Sequence, residues 1–375
     1  MPKIRFQTAG QLQDLRLTNR ALHDQATPIL FRNIHVKIID NLTLKKLRRI
    51  ASRPHLSKVV RELSYHPYIR KQLPDSKGPI VPLQHFAKQN QILSSRSLER
   101  ALKFALQSFK NISAIGLEFP EHGKRVISNT APTQIPRAVI SSIFSGSIPS
   151  LSSLSIRCLQ PEDLPNILGL EATGTSAGPQ LSSLTDLILQ FYTFDTPNHR
   201  DAVEFTGTGQ LDPPHRLPGL LERLASLVSL RITFTYVDKR MRLVDWMSIH
   251  FPKLRTIELQ KLEISELSLK SLTLSSAGSL REIILTEIFL LNGTWDSFYQ
   301  SVSKLRNIAD VSGLRGRRYV DNRQPYSSSD ARSFCELFKI VEMQRVEIGL
   351  PSMRDPVRTH NMELIPDFWD MECVL

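Results

Sequence analysis

The sequence predicts an α/β solenoid, with parallel strands on a concave face and helices on a convex face. Three observations carry this. One short apolar pattern recurs along the chain, the stretches between its copies have helical spacing, and no catalytic constellation interrupts them.

The pattern is an apolar residue, two spacers, an apolar residue, one spacer and an apolar residue. It appears as Ile112, Ile115, Leu117 and as Leu151, Leu154, Ile156. It returns as Leu184, Leu187, Leu189 and as Leu227, Leu230, Ile232. Two further copies are Leu254, Ile257, Leu259 and Leu280, Ile283, Leu285. A weaker copy surrounds Ile308, and Val60, Leu63, Tyr65 reads as an earlier one. The middle positions 63, 115, 154, 187, 230, 257, 283 and 308 are separated by 52, 39, 33, 43, 27, 26 and 25 residues. The last three separations fall within the roughly 20–29-residue period of leucine-rich repeats, and the longer ones require inserted loops or helices.

The last two apolar residues of each copy lie on one face of a short strand. The first belongs to the turn entering it. A single such strand cannot bury its face, but stacked copies share a core. The alternating positions Ser155, Ile188, Arg231, Glu258 and Ile284 are expected to point out of the sheet.

Helices are expected between copies. Leu98, Leu102, Ala105, Leu106 and Phe109 share one helical face. Leu217, Leu220, Leu221, Leu224 and Ala225 repeat the arrangement, and "MRLVDWMSIHFPKL" stops at Pro252. Residues 65–85, 171–180 and 196–216 are rich in turn-forming residues and read as loops.

Composition bounds the class. The chain has 375 residues, 41% hydrophobic and 22% charged, enough to bury a core. Cys158, Cys335 and Cys373 are far apart and odd in number, which suits a reducing compartment, either cytoplasm or nucleus. The opening residues lack a signal peptide's apolar run, and no stretch is long enough to span a membrane. Net charge is +12, and residues 1–70 hold 14 Lys/Arg against 4 Asp/Glu, leaving only +2 for the rest. In residues 42–53, Leu44, Leu47, Ile50 and Ala51 fall on one helical face, so Lys45, Lys46, Arg48 and Arg49 point outward. The plainer reading is a solvated helix face, and the other is contact of the basic residues 1–70 with an acidic partner or nucleic acid; no aromatic residue interleaves these charges, as stacking on single strands would favour, so nucleic acid is the less expected partner.

Enzymatic chemistry has little foothold. Gly174–Gly178 matches the G-x-S-x-G elbow around Ser176, but Pro179 follows where a helix must start. Gly207 and Gly209 lack a third glycine and a preceding strand. The histidines and cysteines show no metal-ligand spacing. Asp195, Asp201 and Asp212 lie in loops with no reason to pair, and Trp246 and Trp295 are expected to pack. No cofactor, metal or catalytic residue is expected; the chain reads as a binding surface.

One stretch adds a resemblance. "LRLTNRALHDQATPILFRNIHV" (15–36) reads as an amphipathic segment, a turn at Thr27–Pro28 and an apolar–basic alternation. Through Leu15, Leu17, Asn19, Arg20, Leu22, Ala26, Thr27, Pro28, Leu30, Phe31, Arg32, Ile34 and Val36 it resembles the C-terminal half of the F-box in fungal F-box proteins. The family's first box helix, of the type "LPPEILxxIxxxL", has no counterpart in residues 1–14. Residues 47–65 resemble the segment joining box to repeats in that family. "GSLREIILTEIFLLNGTW" resembles one of its repeats through Leu280, Ile283, Leu285, Ile288, Leu290, Gly293, Thr294 and Trp295.

The resemblance implies a non-catalytic substrate receptor of a cullin–RING ubiquitin ligase. Its box half would bind the SKP-type adaptor through Leu15, Leu17, Leu22, Pro28, Leu30 and Phe31, and its repeats would hold a protein substrate. The expected organisation is a partial F-box-like helical segment (1–40), a basic linker helix and loop (41–85), irregular leucine-rich repeats (86–315) and a C-terminal cap and tail (316–375). Within the last, residues 316–332 read as flexible and "SFCELFKIVEMQRVEIGL" as a helix and strand. A plain leucine-rich-repeat interaction module without adaptor binding is the alternative.

Overall fold

The computed structural model describes residues 20–36, 41–65, 96–118, 148, 150–159, 183–191, 224–234, 250–290, 292–318 and 328–351. The expected loops at 66–85, 171–180 and 196–216, residues 217–221 of the expected helix, Ser176, Gly207, Gly209, Trp246, Cys373 and the loop aspartates lie outside these residues. Leu224 and Ala225, expected on that helix, are not helical; Leu224 is buried and Ala225 is exposed. The chain forms two compact units, Met1–Leu184 and Thr185–Leu375, in an α/β arrangement of parallel strands and helices.

The first unit contains α1 (Arg20–Arg32), β1 (Asn33–Val36), α2 (Asn41–Ala51), α3 (Pro54–Ser57), β2 (Glu62–Tyr65), α4 (Arg96–Ser108), β3 (Ala114–Glu118) and β4 (Ser153–Leu159). The strands pair in parallel, in chain order. Ile34 lies beside Leu63, Leu63 beside Ile115, and Ile115 beside Leu154. Helix α2 buries Leu44, Leu47 and Ala51, and α4 buries Ala101, Leu102, Ala105 and Leu106. The two helices pack against each other.

The second unit contains β5 (Asp186–Phe191), β6 (Ser229–Phe234), β7 (Thr256–Gln260), β8 (Glu263–Ile264), α5 (Glu266–Leu274), β9 (Glu282–Leu290), α6 (Trp295–Val302), β10 (Asp310–Arg318) and α7 (Ser328–Glu347). Its parallel order is β5-β6-β7-β9-β10, with β8 also against β9.

The recurring pattern becomes one repeated rung. The entering residues Val60, Ile112, Leu151, Leu184, Leu227, Leu254, Leu280 and Ile308 are all at most 2% exposed. Ile308 is expected at the middle position of its copy, but Val311 lies beside Ile283, so Ile308 is the entering residue. Burial of each such side chain stabilises the fold by about 1.5–3 kcal/mol. In most rungs one carbonyl before the strand accepts two N–H groups from the next rung. Arg61 O accepts from Ser113 and Ala114, and Ser113 O from Ser152 and Ser153. In the second unit Thr185 O accepts from Val228 and Ser229, Val228 O from Arg255 and Thr256, and Arg255 O from Arg281 and Glu282.

A side-chain ladder accompanies the backbone one. The residue just before the entering apolar position donates to the previous rung's entering carbonyl: Ser150 Oγ to Ile112 O (2.7 Å), Ser183 Oγ to Leu151 O (2.8 Å) and Ser279 Oγ to Leu254 O (2.8 Å). Asn111 and Asn307 occupy the same position and reach carbonyls of the preceding turn, Lys58 O and Gly278 O. A small hydroxyl or amide satisfies a turn carbonyl that would otherwise be left without a partner.

The G-T-W run has a physical basis. Gly293 has φ +89°, and a Cβ there would sit 1.8 Å from the Glu266 carboxylate. Thr294 caps α6 by accepting from the Ser297 N–H (3.2 Å). Trp295 is 1% exposed and stacks on Tyr299 at 5.5 Å. The expectation that Trp295 packs is therefore met. Glu266, in the first turn of α5, accepts from the Thr294 N–H (2.6 Å) and pairs with Lys270, which donates to Ser297 Oγ (2.6 Å). Burial raises the Glu266 carboxyl, but hydrogen bonds from Lys270, Ser297 and Thr294, and the Lys270 charge, bring it below its ordinary value.

Four expectations need correction. The chain does not turn at Thr27–Pro28: α1 runs through Pro28 to Arg32. Proline removes one i to i−4 bond, and here its ring lies on the exposed side of the helix. Residues 1–40 are not wholly helical, because β1 follows α1 directly. Residues 316–318 belong to β10, and "SFCELFKIVEMQRVE" is one helix whose Phe334, Leu337 and Val341 face the core. The cysteines are not all unpaired: Cys335 is disulfide-bonded, with a partner not among the described side chains.

Candidate functional site

Two surfaces have the form of a binding site. One is α1, where the resemblance puts adaptor contacts. Leu15 and Leu17 lie outside the described residues, and Leu22 is on α1 with its side chain not described. Pro28 is exposed, while Leu30 and Phe31 are half-buried. Ala26 and Thr27 form the buried side, and Ile29 is 53% exposed between Pro28 and Leu30. Sequence reasoning passed over Ile29. Its signal was an apolar residue one step out of phase with the Ala26, Leu30 stripe.

Phe31 has a second role. Phe31, Ile34 and Val36 repeat the rung spacing, and Arg32 O accepts from Arg61 N–H (2.8 Å), as carbonyls do at later rungs. The opening stretch thus supplies both an exposed helix and the first strand.

The other surface is the open side of the strands. In the second unit, Asp186, Ser229, Thr256, Glu282 and Asp310 form one row across neighbouring strands. Ile188, Arg231, Glu258 and Ile284 form the next, and Gln190, Thr233, Gln260 and Thr286 a third. These side chains alternate with buried ones, as expected for Ile188, Arg231, Glu258 and Ile284. The first unit presents Glu62, Gly116, Glu118, Ser153, Ser155 and Arg157 in equivalent places, while Ser64 in the same register is buried.

The carboxylates of the second unit are partly answered within it. Arg231 pairs with Glu258, and Thr256 Oγ1 donates to Glu282 Oε2 (3.2 Å). Thr185 Oγ1 donates to Asp186 Oδ2 (2.6 Å). Burial pushes the Asp310 carboxyl above its ordinary value, against the pull of the Arg345 charge and the Val311 N–H. The surface is therefore polar and locally balanced, with Ile188 and Ile284 as half-exposed apolar points. Such a surface suits a polypeptide partner held by shape and hydrogen bonds.

Among the described residues, no three His, Cys, Asp or Glu side chains come together to hold a metal ion. Among the same residues, no helix is long and apolar enough to cross a membrane. Lys270 Nζ donates to Ser297 Oγ and pairs with the Glu266 carboxylate, so the lysine is the serine's hydrogen-bond donor in this network. No protein-family model matches the chain, and no curated protein matches it in sequence.

Proposed function

We propose that this chain is an F-box-type substrate receptor of a cullin–RING ubiquitin ligase, built on irregular leucine-rich repeats. In this reading it catalyses nothing and needs no cofactor. It joins an SKP-type adaptor at α1 to a protein substrate on the open side of its strands. The observation that carries the reading is the order of parts. An exposed helix bearing Pro28, Ile29 and Leu30 leads directly into a ladder of near-identical rungs. The helix offers an apolar strip to one partner, and the ladder offers a polar sheet face to another.

One observation favours the alternative, a repeat-based interaction module without adaptor binding. Phe31 heads the first rung and is half-buried, so part of the apolar stripe assigned to the adaptor serves the chain's own core.

The test is co-purification of the full chain with an SKP-type adaptor. Wild type should retain the adaptor, and Leu22→Asp with Leu30→Asp should lose it. Ile29→Asp, at a position 53% exposed, should weaken retention while leaving the circular dichroism spectrum unchanged. Folded wild-type protein that retains no adaptor would leave the interaction-module reading standing.

A further inference from the structure

The most strongly charged surface of the described chain belongs to neither candidate site. Residues 41–61 contain Lys45, Lys46, Arg48, Arg49, Arg53, Lys58 and Arg61 and not one Asp or Glu. All seven are exposed. On α2, Lys45, Lys46, Arg48 and Arg49 occupy the side opposite the buried Leu44, Leu47 and Ala51. Helix α4, packed against α2, adds exposed Arg100 and Lys103, and Lys110 follows it. The sequence shows the α2 charges. The packing shows that a second helix, about 50 residues later, brings its own cations to the neighbouring surface.

This concentration costs stability. Lys45 and Arg49 are four apart, and Lys45–Arg48 and Lys46–Arg49 are three apart, so like charges face one another along α2. Such like-charge pairs destabilise a helix. Favourable interaction of Arg48 and Arg49 with the helix C-terminus offsets part of that. It does nothing for Lys45, Lys46, Arg100 or Lys103.

We infer that the exposed faces of α2 and α4, with the α2–α3 connection, bind the phosphate backbone of double-stranded nucleic acid without reading its sequence. Charge complementarity names a polyanion, and the surface selects among polyanions. A bilayer needs apolar side chains to insert, but the apolar side of α2 is buried and Phe104, 44% exposed, stands alone among these cations. Single strands are held by stacking on interleaved aromatic rings, and the exposed rings on the described part of this surface are Phe104 and His55, too few to alternate with its cations. An acidic peptide needs a groove, a sheet edge or apolar pockets to fix it, and the described cations of α2 and α4 lie on the outer faces of helices. Duplex phosphates require only a rigid array of cations, because the free energy comes from released counterions.

The experiment is fluorescence anisotropy of a labelled 20-base-pair DNA duplex with the full chain, over a series of salt concentrations. Binding should weaken steeply with salt, with a logarithmic slope of about 0.9 per phosphate contacted. Lys45→Gln, Lys46→Gln and Arg49→Gln together should make the slope shallower by up to about 2.7 and weaken binding at least ~10-fold at low salt. Lys253→Gln, Lys304→Gln and Arg306→Gln change net charge equally in the second unit and should leave binding unchanged. Absence of binding at low salt, equal weakening by both triple variants, or equal binding of a single strand or of polyglutamate would overturn the proposal. Circular dichroism of both variants separates lost contacts from lost structure.

Discussion

The two units build the same rung under different constraints. In the second, entering residues Leu227, Leu254, Leu280 and Ile308 follow one another at intervals of 27, 26 and 28 residues. In the first, Val60, Ile112 and Leu151 are separated by 52 and 39. Yet Leu63, Ile115 and Leu154 stand in the same register as Leu230, Ile257 and Ile283. The length of the connection does not set the register. It is set where each strand begins, by the shared turn carbonyl, the buried entering residue and the serine or asparagine ladder. Loop closure becomes costlier only slowly with length, so long inserts are tolerated once those contacts are present.

The units differ in how they handle charge. The second answers much of its own: Glu258 with Arg231, Glu266 with Lys270, Asp310 beside Arg345. The first carries seven cations in residues 41–61 with no acidic residue among them. A surface balanced in charge is suited to shape-dependent contact, and one with a local excess of one sign is suited to a partner of the other sign.

The largest test of this comparison is Trp295→Ala. Its ring packs against Phe298 and Tyr299, and its loss should cost about 3–5 kcal/mol in urea unfolding. The loss should come from the second unit, while the peptides of β2 and β3 keep their hydrogen-exchange protection. Next is Gly293→Ala, which combines a left-handed backbone with a clash against Glu266 and should cost about 2 kcal/mol or more. Ser150→Ala and Ser279→Ala remove the same ladder bond from the two units, and each should cost about 1 kcal/mol. Clearly unequal losses would mean that the ladder is not one device used twice.

The smallest effect is on pH dependence. The Glu266 carboxyl is held below its ordinary value, so its contribution is present above the unfolded-state pKa and is lost as pH falls through the folded one. Acid titration of stability should therefore be shallower in Glu266→Gln than in wild type. A parallel pair of curves would show that the α5–α6 network does not depend on that charge.

The rungs were legible in the sequence because three apolar positions at fixed spacing must all be buried, and each copy repeats them. The rung at Phe31, Ile34 and Val36 was missed for two reasons. Its residues overlap the box resemblance, and Pro28 suggests a chain reversal just before it. The helix accommodates Pro28 because the ring lies on the exposed side, a fact of packing that spacing alone does not reveal. Where the sequence suggests a helix and then a strand, α7 runs unbroken to Glu347, and Phe334, Leu337 and Val341 against the core decide for one helix. On the sheet face, the outward direction of Arg231 and Glu258 was legible, but the influence of Arg345 on Asp310 was not. That arginine arrives from a helix more than thirty residues later.

The central structural claim is that the opening stretch is both an exposed helix and the first rung of the ladder. Hydrogen–deuterium exchange of the full chain tests it most directly, comparing the peptide covering Asn33–Val36 with those covering Glu62–Tyr65 and Thr256–Gln260. The account predicts that all three are protected, with Asn33–Val36 the least because among the described residues it has a partner strand on one side only. Exchange of Asn33–Val36 at the rate of free chain, with the other two protected, would contradict it and remove the ladder's first strand.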